Sequence, residues 1–562
     1  MIPNMSTTPE ENKKLADLLF PEVKKTPQDY LNQYPERSLS EGVQITRFGP
    51  SPTGFLHIGG LFTALVSARI AHQSGGTFFL RIEDTDKKRE VEGGAEKLYG
   101  ALTDFGIRID EGYGTEEEGE YGPYKQSLRE EIYQTFVKDL ITKGLAYPCF
   151  CTQEELEEVR NKQQECKALP GYYGSWAKYR DQSFEEIEKN LSEGKDFVVR
   201  FRSEGSPENS FKFKDKIKGE VSVTENSNDI VLIKADGLPT YHLAHIVDDF
   251  LMRTTLVIRG DEWLSSLPVH LQLFRALELK APKYAHVAPI LKSEDGNKRK
   301  LSKRKDPEAS VDYYAEKGYP KQAITEYLLN IANSSFEDWR KGNPTLPNTD
   351  FTLELNKMSK SGALFNIDKL DDISKEIISR MTSDDVYARL LTWSETFNPE
   401  FFTLLTDNKD FCHNIIGIER NGNKPRKDIA YWEEAPDHFM YFFDDHFEKV
   451  SLAEGKVCFD TLEATDAPAI LKLYAQSYDK TISQEDWFPA LKEFAEANGY
   501  ASNMKEHKVN PDQYKGNVGD IAMILRAALT GRTRTPDLYQ MMQVLGKERV
   551  VARLTKVAEM IA

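Results

Sequence analysis

A chain of 562 residues, 40% hydrophobic and 29% charged, has room for about three or four domains and is too apolar to be disordered. Its net charge of −17 excludes a uniformly basic nucleic-acid binder, though not a local basic face on an acidic body. No apolar run approaches the roughly 20 residues that cross a bilayer, and the odd set Cys149, Cys151, Cys166, Cys412 and Cys458 offers no disulfide framework. The opening MIPNMSTTPEENKKLADLLF is neither a secretory signal nor an Arg-rich transit peptide, so a cytoplasmic protein with no membrane partner is expected.

Residues 1–42 are polar and partly helical, punctuated by Pro27 and Pro35. GVQITRF then predicts a short strand, GPSPTG a turn-rich loop, LHIGGLFTALVSARIAHQSG a helix, and TFFLRIED a second strand. That order is a βαβ unit. From residue 150 to 235, acidic helical text (TQEELEEVRNKQQE) precedes alternating strands in DFVVRFRSEG, GEVSVTEN and DIVLIKADG, an inserted α+β module. Strand and helix text returns in PTYHLAHIVDDFLMRTTLVIRGDEWLSSLPVHLQLFRAL. HVAPILKSEDGNKRKLSKR predicts a strand entering a hairpin at Asp295-Gly296, and the text beyond 310 is mostly helical.

The stretch GPSPTGFLHIGG carries the most chemistry. Gly49, Pro50, Pro52 and Gly54 force a tight, irregular loop directly after a strand. His57 and Gly59 then open a helix whose first turn presents unpaired N–H groups and the positive end of the dipole, a site for phosphate. Gly59 lets a base or ribose lie against the backbone, and His57 can donate to an α-phosphate oxygen as charge builds in an in-line displacement. HIGG alone reads better as a loop closure; the full stretch reverses that. Neither G-x-x-x-x-G-K-[ST] nor G-x-G-x-x-G occurs, so ATP, if bound, is held by a different loop.

Two basic stretches of nearly the same spelling follow, KLSKR at 300–304 and KMSKS at 357–361. RFGPSPTGFLHIGG, RIEDTD, VDD, GDEW and KLSKR together resemble the bacterial-type glutamyl-tRNA synthetases, a class I aminoacyl-tRNA synthetase family, from residue 43 to the C-terminus. The related glutaminyl enzymes usually have a PEPNG-type loop in place of GPSPTG. In the family a second signature loop closes the nucleotide-binding half-domain after its last strands. KLSKR, following HVAPI, fits that position, so Lys300 and Lys303 are expected to neutralise the β- and γ-phosphates as pyrophosphate leaves. KMSKS, after AITEYLLNIA and before GALFNIDKL, is expected in the helical region beyond, as a solvated loop.

The resemblance implies a multidomain chain. An α/β, Rossmann-type catalytic domain (43–148 and 236–308) carries an α+β acceptor-stem insertion at 149–235. After the extension at 1–42 and this catalytic domain come a helical stem-contact region at 309–380 and an all-α anticodon-binding region at 381–562. The implied reaction is activation of L-glutamate by ATP with Mg2+ and transfer to the terminal adenosine of tRNA-Glu, with tRNA-Gln left open as a second acceptor, by an expected monomer. Catalysis falls to His57, Gly59, Lys300 and Lys303, and ATP binding to Pro50, Ser51, His57, Gly59, Gly60 and Lys303. Glutamate falls to Arg47, Ser51, Glu83, Tyr241, His245 and Arg259, the two guanidiniums matching carboxylates by their planar fork. His245 stands where the family usually has Asn, and its protonation is expected to make that contact pH-dependent. Arg526, Arg532 and Arg534 are expected on the tRNA face, and residues 124–133 near the acceptor end. Some relatives hold zinc through a Cys-x-Cys pair, a Tyr and a further Cys; here Cys149 and Cys151 are present, Trp176 stands at the last position and Cys166 is misplaced, so no zinc is expected. Three rivals remain: a glutaminyl enzyme, disfavoured by the helical C-terminal text; a tRNA-modifying glutamyl-queuosine synthetase, disfavoured by length; and an inactive RNA-binding paralogue.

Overall fold

The computed structural model describes residues 7–302, 304–420, 422, 425–454, 458–459 and 466–562; Lys303 lies outside the described residues. The chain divides into two compact units, residues up to 313 with 325–366, and 314–324 with 367–562. The stretch 309–380 is therefore shared between the units.

The first unit begins with two capped helices, α1 (Pro9–Leu19) and α2 (Pro27–Gln33). Thr8 with Glu11 and Thr26 with Asp29 form capping boxes, and a proline opens each helix, where its missing N–H is harmless. Leu15, Ala16, Leu19, Tyr30 and Tyr34 are buried in a core cluster of this unit. The polar N-terminal extension is thus a strap with an apolar inner face.

The nucleotide-fold half follows as β1 (Thr46–Phe48), α3 (Ile58–Gln73), β2 (Phe78–Leu80), α4 (Gly94–Asp104), β3 (Glu111–Gly112) and α5 (Glu130–Thr142). α3 buries residues around most of its circumference, from Ile58 to Ala71, which marks a helix enclosed by the core rather than laid on its surface. The inserted module contains β4 (Ala146–Cys149), α6 (Gln153–Glu165), α7 (Phe184–Ser192), β5 (Val198–Phe201), β6 (Ser210–Asp215), β7 (Gly219–Thr224) and β8 (Val231–Ile233). β4, β5 and β8 form one antiparallel sheet, and β6 and β7 form a separate hairpin. The chain then returns through α8 (Tyr241–Leu251), β9 (Leu256–Gly260), α9 (Leu267–Ala276) and β10 (Lys283–Val287).

β1, β2 and β3 pair in parallel, as do β9 and β10. The Ile45 carbonyl accepts the N–H groups of Thr255 and Leu256 at 3.0 and 3.2 Å, which sets β9 beside β1. The strand order is β3-β2-β1-β9-β10, so the direction of winding reverses between β1 and β9. In a doubly wound sheet that reversal opens a crevice at the carboxyl ends of the strands.

A hairpin of β11 (Ile290–Glu294) and β12 (Asn297–Lys300) follows, turning at Asp295 and Gly296, both with positive φ. β13 (Ala363–Leu364) adds to β11 in parallel, a strand the helical reading of this region does not contain. The KMSKS stretch just before it is exposed, as expected, except for Met358, which is buried, and the Lys360 carbonyl accepts from Lys218 Nζ. Gly362 permits the turn into β13, since a Cβ there would lie 2.5 Å from the Pro289 carbonyl oxygen and its φ is +90°.

The second unit is helical, including Ile367–Ser379, Ser383–Phe397, Gln484–Ala497, Val518–Thr530 and Lys547–Met560, around one aromatic-rich core. Two buried arginines stitch it. Arg420 donates to the carbonyls of Ile378, Met381 and Ile416, and Arg553 to those of Leu529, Tyr441 and Phe442, satisfying carbonyls that helix ends and turns leave open.

Candidate active site

A cavity of about 360 Å3 opens at the carboxyl ends of β1, β9 and β10, at the winding reversal. Of the residues expected to act, Arg47, His57, Gly59, Gly60, Glu83, Tyr241, Arg259 and Lys300 line it.

His57 is the N-cap of α3, a place usually held by Ser, Thr, Asp or Asn. Its Nδ1 accepts the Gly59 N–H at 2.9 Å. An accepting Nδ1 puts the proton of a neutral ring on Nε2, so the ring is an acceptor toward the helix and a donor on its other side. A Cβ on Gly59 would stand 3.1 Å from that Nδ1, so the cap and a bare residue 59 belong together. Pro50 and Ser51 lie outside the lining. Ser51 is exposed, and the Pro50 carbonyl accepts the Glu83 N–H at 3.0 Å, tying the loop to the acidic residue.

Behind the cavity lies a buried ionic network. Arg47 Nε donates to both carboxylate oxygens of Asp249, at 3.1 and 3.2 Å. Arg81, fully buried, donates to Asp249 at 2.7 Å and to Glu83 at 2.9 Å. Asp248 accepts from Arg129 Nε at 2.7 Å and from Gln126 and Tyr133 at 2.8 Å each. Residues 126, 129 and 133, read as lying near the acceptor end, thus turn inward onto the VDD motif. Burial lifts the Glu83 carboxyl above the usual carboxylate range against the pull of Arg81 and Arg47. Glu83 Oε1 also sits 2.3 Å from where a Gly49 Cβ would be, so Gly49 is the room Glu83 occupies.

Arg259 differs from Arg47. It donates to His286 Nε2 (3.0 Å), Tyr241 Oη (3.2 Å), His270 Nδ1 (3.1 Å) and the Trp263 carbonyl (3.2 Å), and the Tyr284 ring lies 4.8 Å from its guanidinium carbon. Among the described residues no carboxylate pairs with it. A buried guanidinium held only by neutral groups attracts an anion into the cavity.

His245 does not line the cavity. It is fully buried, with Nδ1 2.8 Å from Asp249, Nε2 3.0 Å from Tyr284 Oη, and the ring stacked on Tyr241. Burial pushes its pKa down to about 3 despite the Asp249 carboxylate. The expected pH-dependent contact is therefore corrected: His245 stays neutral through the physiological range and supports Tyr241 and Asp249 from behind.

Lys300 reaches the cavity mouth from the end of β12 and pairs with Glu262 at 3.2 Å. Both are about half exposed, so the pair is weak. The loop that follows is anchored at Asp306, which accepts a fork from Arg299 (2.6 and 2.8 Å) and the Ser302 N–H (2.9 Å). The Arg299 hydrogen bonds hold the Asp306 carboxyl well below the usual carboxylate range. No residue of KMSKS lines the cavity.

In the inserted module, Cys149 and Cys151 each lie 3.4 Å from Tyr172 Oη, while Cys166 turns to the Gln163 carbonyl and is exposed. Among the described residues no group of three or more His, Cys, Asp or Glu side chains assembles there. In the second unit, Arg526 is held by the Thr535 and Pro536 carbonyls, Arg532 donates to the Asp437 carbonyl at 2.9 Å, and Arg534 is exposed.

Sequence reasoning missed Asp215, His270, His286, Arg81 and Glu262. Asp215 and His286 are 71 positions apart and meet only in the fold, so no local spacing signals them. Arg81 and Glu262 sat inside quoted motifs, RIEDTD and GDEW, without a role.

Comparison with known proteins agrees with this geometry. Residues 44–372, more than half the chain, match the family described as tRNA synthetases class I (E and Q), catalytic domain, and residues 511–558 match an anticodon binding domain. The glutamate–tRNA ligase of Clostridium perfringens (strain SM101, Type A) is 51% identical over 97% of this chain and 99% of its own length. That of Sorangium cellulosum (strain So ce56) is 42% identical over 94% of this chain and 97% of its own. A crystal structure of a glutamate tRNA ligase from Elizabethkingia meningosepticum in complex with its amino acid superposes with a TM-score of 0.72, at 29% identity, covering 93% of this chain and 100% of that one. The chain belongs to the class I tRNA synthetases of the E and Q group.

Proposed function

We infer that the chain is a glutamate–tRNA ligase. The observation that carries this reading is Arg259, a buried cation at the cavity wall with neutral partners, placed for an amino acid with an anionic side chain. Glu83 faces the α-ammonium group and Arg47 a carboxylate. The α-carboxylate oxygen of glutamate attacks the α-phosphorus of ATP, which enters as its Mg2+ complex. The bond to the β-phosphate oxygen breaks, and pyrophosphate leaves with its charge met by Lys300 and Lys303. His57 Nε2–H and the first turn of α3 stabilise the charge on the α-phosphate oxygens. The tRNA terminal 2′-hydroxyl then attacks the glutamyl carbonyl and AMP departs. No protein nucleophile is needed, so positioning and charge stabilisation are the whole contribution of the protein.

The partners in this reading are tRNA-Glu, glutamate and ATP, with the enzyme a cytoplasmic monomer. Among the described residues no helix is long and apolar enough to cross a membrane. The test is charging of tRNA-Glu with labelled glutamate, glutamine and aspartate in parallel. Glutamate alone is expected to become acid-precipitable; charging by glutamine, or by none of the three, overturns the reading. A tRNA-Gln arm in the same assay measures the second acceptor.

A further inference from the structure

Arg259 raises a question that its carboxylate-free surroundings sharpen: what holds a buried guanidinium in place without neutralising it? Arginine only donates hydrogen bonds, so each ring nitrogen that meets it must be an acceptor. His286 therefore accepts at Nε2 and carries its proton on Nδ1, which faces Asp215 Oδ2 at 2.7 Å. His270 accepts at Nδ1 and carries its proton on Nε2, which faces His242 Nδ1 at 3.1 Å. Both rings are fully buried, and burial depresses the protonation of each. Asp215, at the end of β6, also accepts the N–H groups of Ile217 and Lys218 at 2.8 Å each, so the carboxylate that could neutralise Arg259 is kept one imidazole away. The printed bonds occupy four of the five guanidinium donors and leave one Nη2 N–H. Tyr241 Oη accepts from Arg259, so its own O–H is available for donation at the cavity wall.

We propose that His270 and His286 are positioning residues for glutamate recognition, fixing Arg259 through opposite ring nitrogens while leaving its charge for the substrate side-chain carboxylate. This deepens the glutamate–tRNA ligase reading and rests on it. An Asp or Glu at either position would place a carboxylate against Arg259 and compete with the substrate. Neutral acceptors orient the fork and add no anion, which favours glutamate over its amide.

The two rings use different nitrogens, and this supplies a test. An Asn side-chain oxygen stands near where a His Nδ1 stands, and a Gln side-chain oxygen near Nε2. His270→Asn and His286→Gln therefore keep the acceptor in register, whereas His270→Gln and His286→Asn carry the same groups one bond out of register. KM for glutamate and for ATP is measured on all four full-length variants by ATP–pyrophosphate exchange with tRNA present, alongside glutamate binding by calorimetry. The out-of-register variants are expected to raise KM for glutamate about tenfold or more, the scale of a lost hydrogen bond to a charged group, with KM for ATP nearly unmoved. The in-register variants are expected to lie much closer to wild type. Equal KM for glutamate in the two members of each pair, or KM for ATP rising in step, overturns the proposal. Calorimetry decides for any variant that folds but turns over too slowly, and a variant that does not fold leaves the comparison to the pair at the other histidine. Wild type that exchanges nothing with glutamate overturns the ligase reading, an outcome distinct from these.

Discussion

Arg47 and Arg259 are both buried and both line the cavity, yet their surroundings assign them different work. Arg47 is neutralised by Asp249, so its removal leaves that buried carboxylate to Arg81 and harms the fold as well as the site. Arg259 has no such partner among the described residues, so in the proposed reading its removal acts on glutamate binding. Arg259→Gln is expected to raise KM for glutamate about a hundredfold while KM for ATP stays near wild type, checked by exchange kinetics in each substrate. A proportional change in both constants would instead place Arg259 in the scaffold. That Arg47, His57, Glu83 and Arg259 would meet at one cavity was legible in the sequence because each sits in or beside a stretch with family spelling. What each one leans on was not. The contacts of Arg259, on β9, come from β10, α8, α9 and the turn between β9 and α9, and only the folded sheet brings those together.

At the scale of elements, the parallel strands and their helices were legible because the apolar periods of β1, α3 and β2 switch cleanly. β6 and β13 were not. SFKFKD alternates correctly but lies between turn-rich segments, and the two residues of β13 pair only because β11 is there to receive them. The KMSKS stretch, read as a solvated loop, is exposed at every residue but Met358; what was not legible is that it runs beside the β6–β7 hairpin and leads into the sheet that carries Lys300. The N-terminal extension is partly helical, as expected, but its apolar inner face was not legible, since its apolar residues are few and spread over two short helices. Tyr34 is its anchor: the ring stacks on Tyr30 and Tyr121, the hydroxyl donates to the Gly122 carbonyl at 2.8 Å, and the Arg129 guanidinium lies 5.5 Å over it. Tyr34→Ala is expected to destabilise the chain by about 3 kcal/mol, the usual loss for a buried aromatic. Denaturant titration measures it; a loss below about 1 kcal/mol would mean the strap is decoration.

Across the whole molecule, the buried histidines of the first unit tie its stability to pH. An unfolded histidine takes up its proton near pH 6.5. In the folded unit burial delays this to about pH 4 for His242 and about pH 3 for His245. The unfolded chain therefore binds more protons across that window. The stabilisation is complete above the unfolded value of about 6.5 and is lost as pH falls below it. His245 alone removes about 2 kcal/mol between pH 7.5 and pH 5. Urea unfolding at the two pH values is expected to show at least this loss, reduced in His245→Asn; equal stability at both would contradict the neutral, buried assignment.

The central claim is that KLSKR, not the better-spelled KMSKS, serves the phosphates. Lys300 lines the cavity, while Lys360 lies over Gly219 of the β6–β7 hairpin. The decisive measurement is ATP–pyrophosphate exchange with glutamate and tRNA for wild type, Lys303→Ala and Lys360→Ala. Loss of a transition-state charge contact predicts a drop on the order of a hundredfold or more for Lys303→Ala and little change for Lys360→Ala. A dead Lys360→Ala beside an active Lys303→Ala would contradict the account.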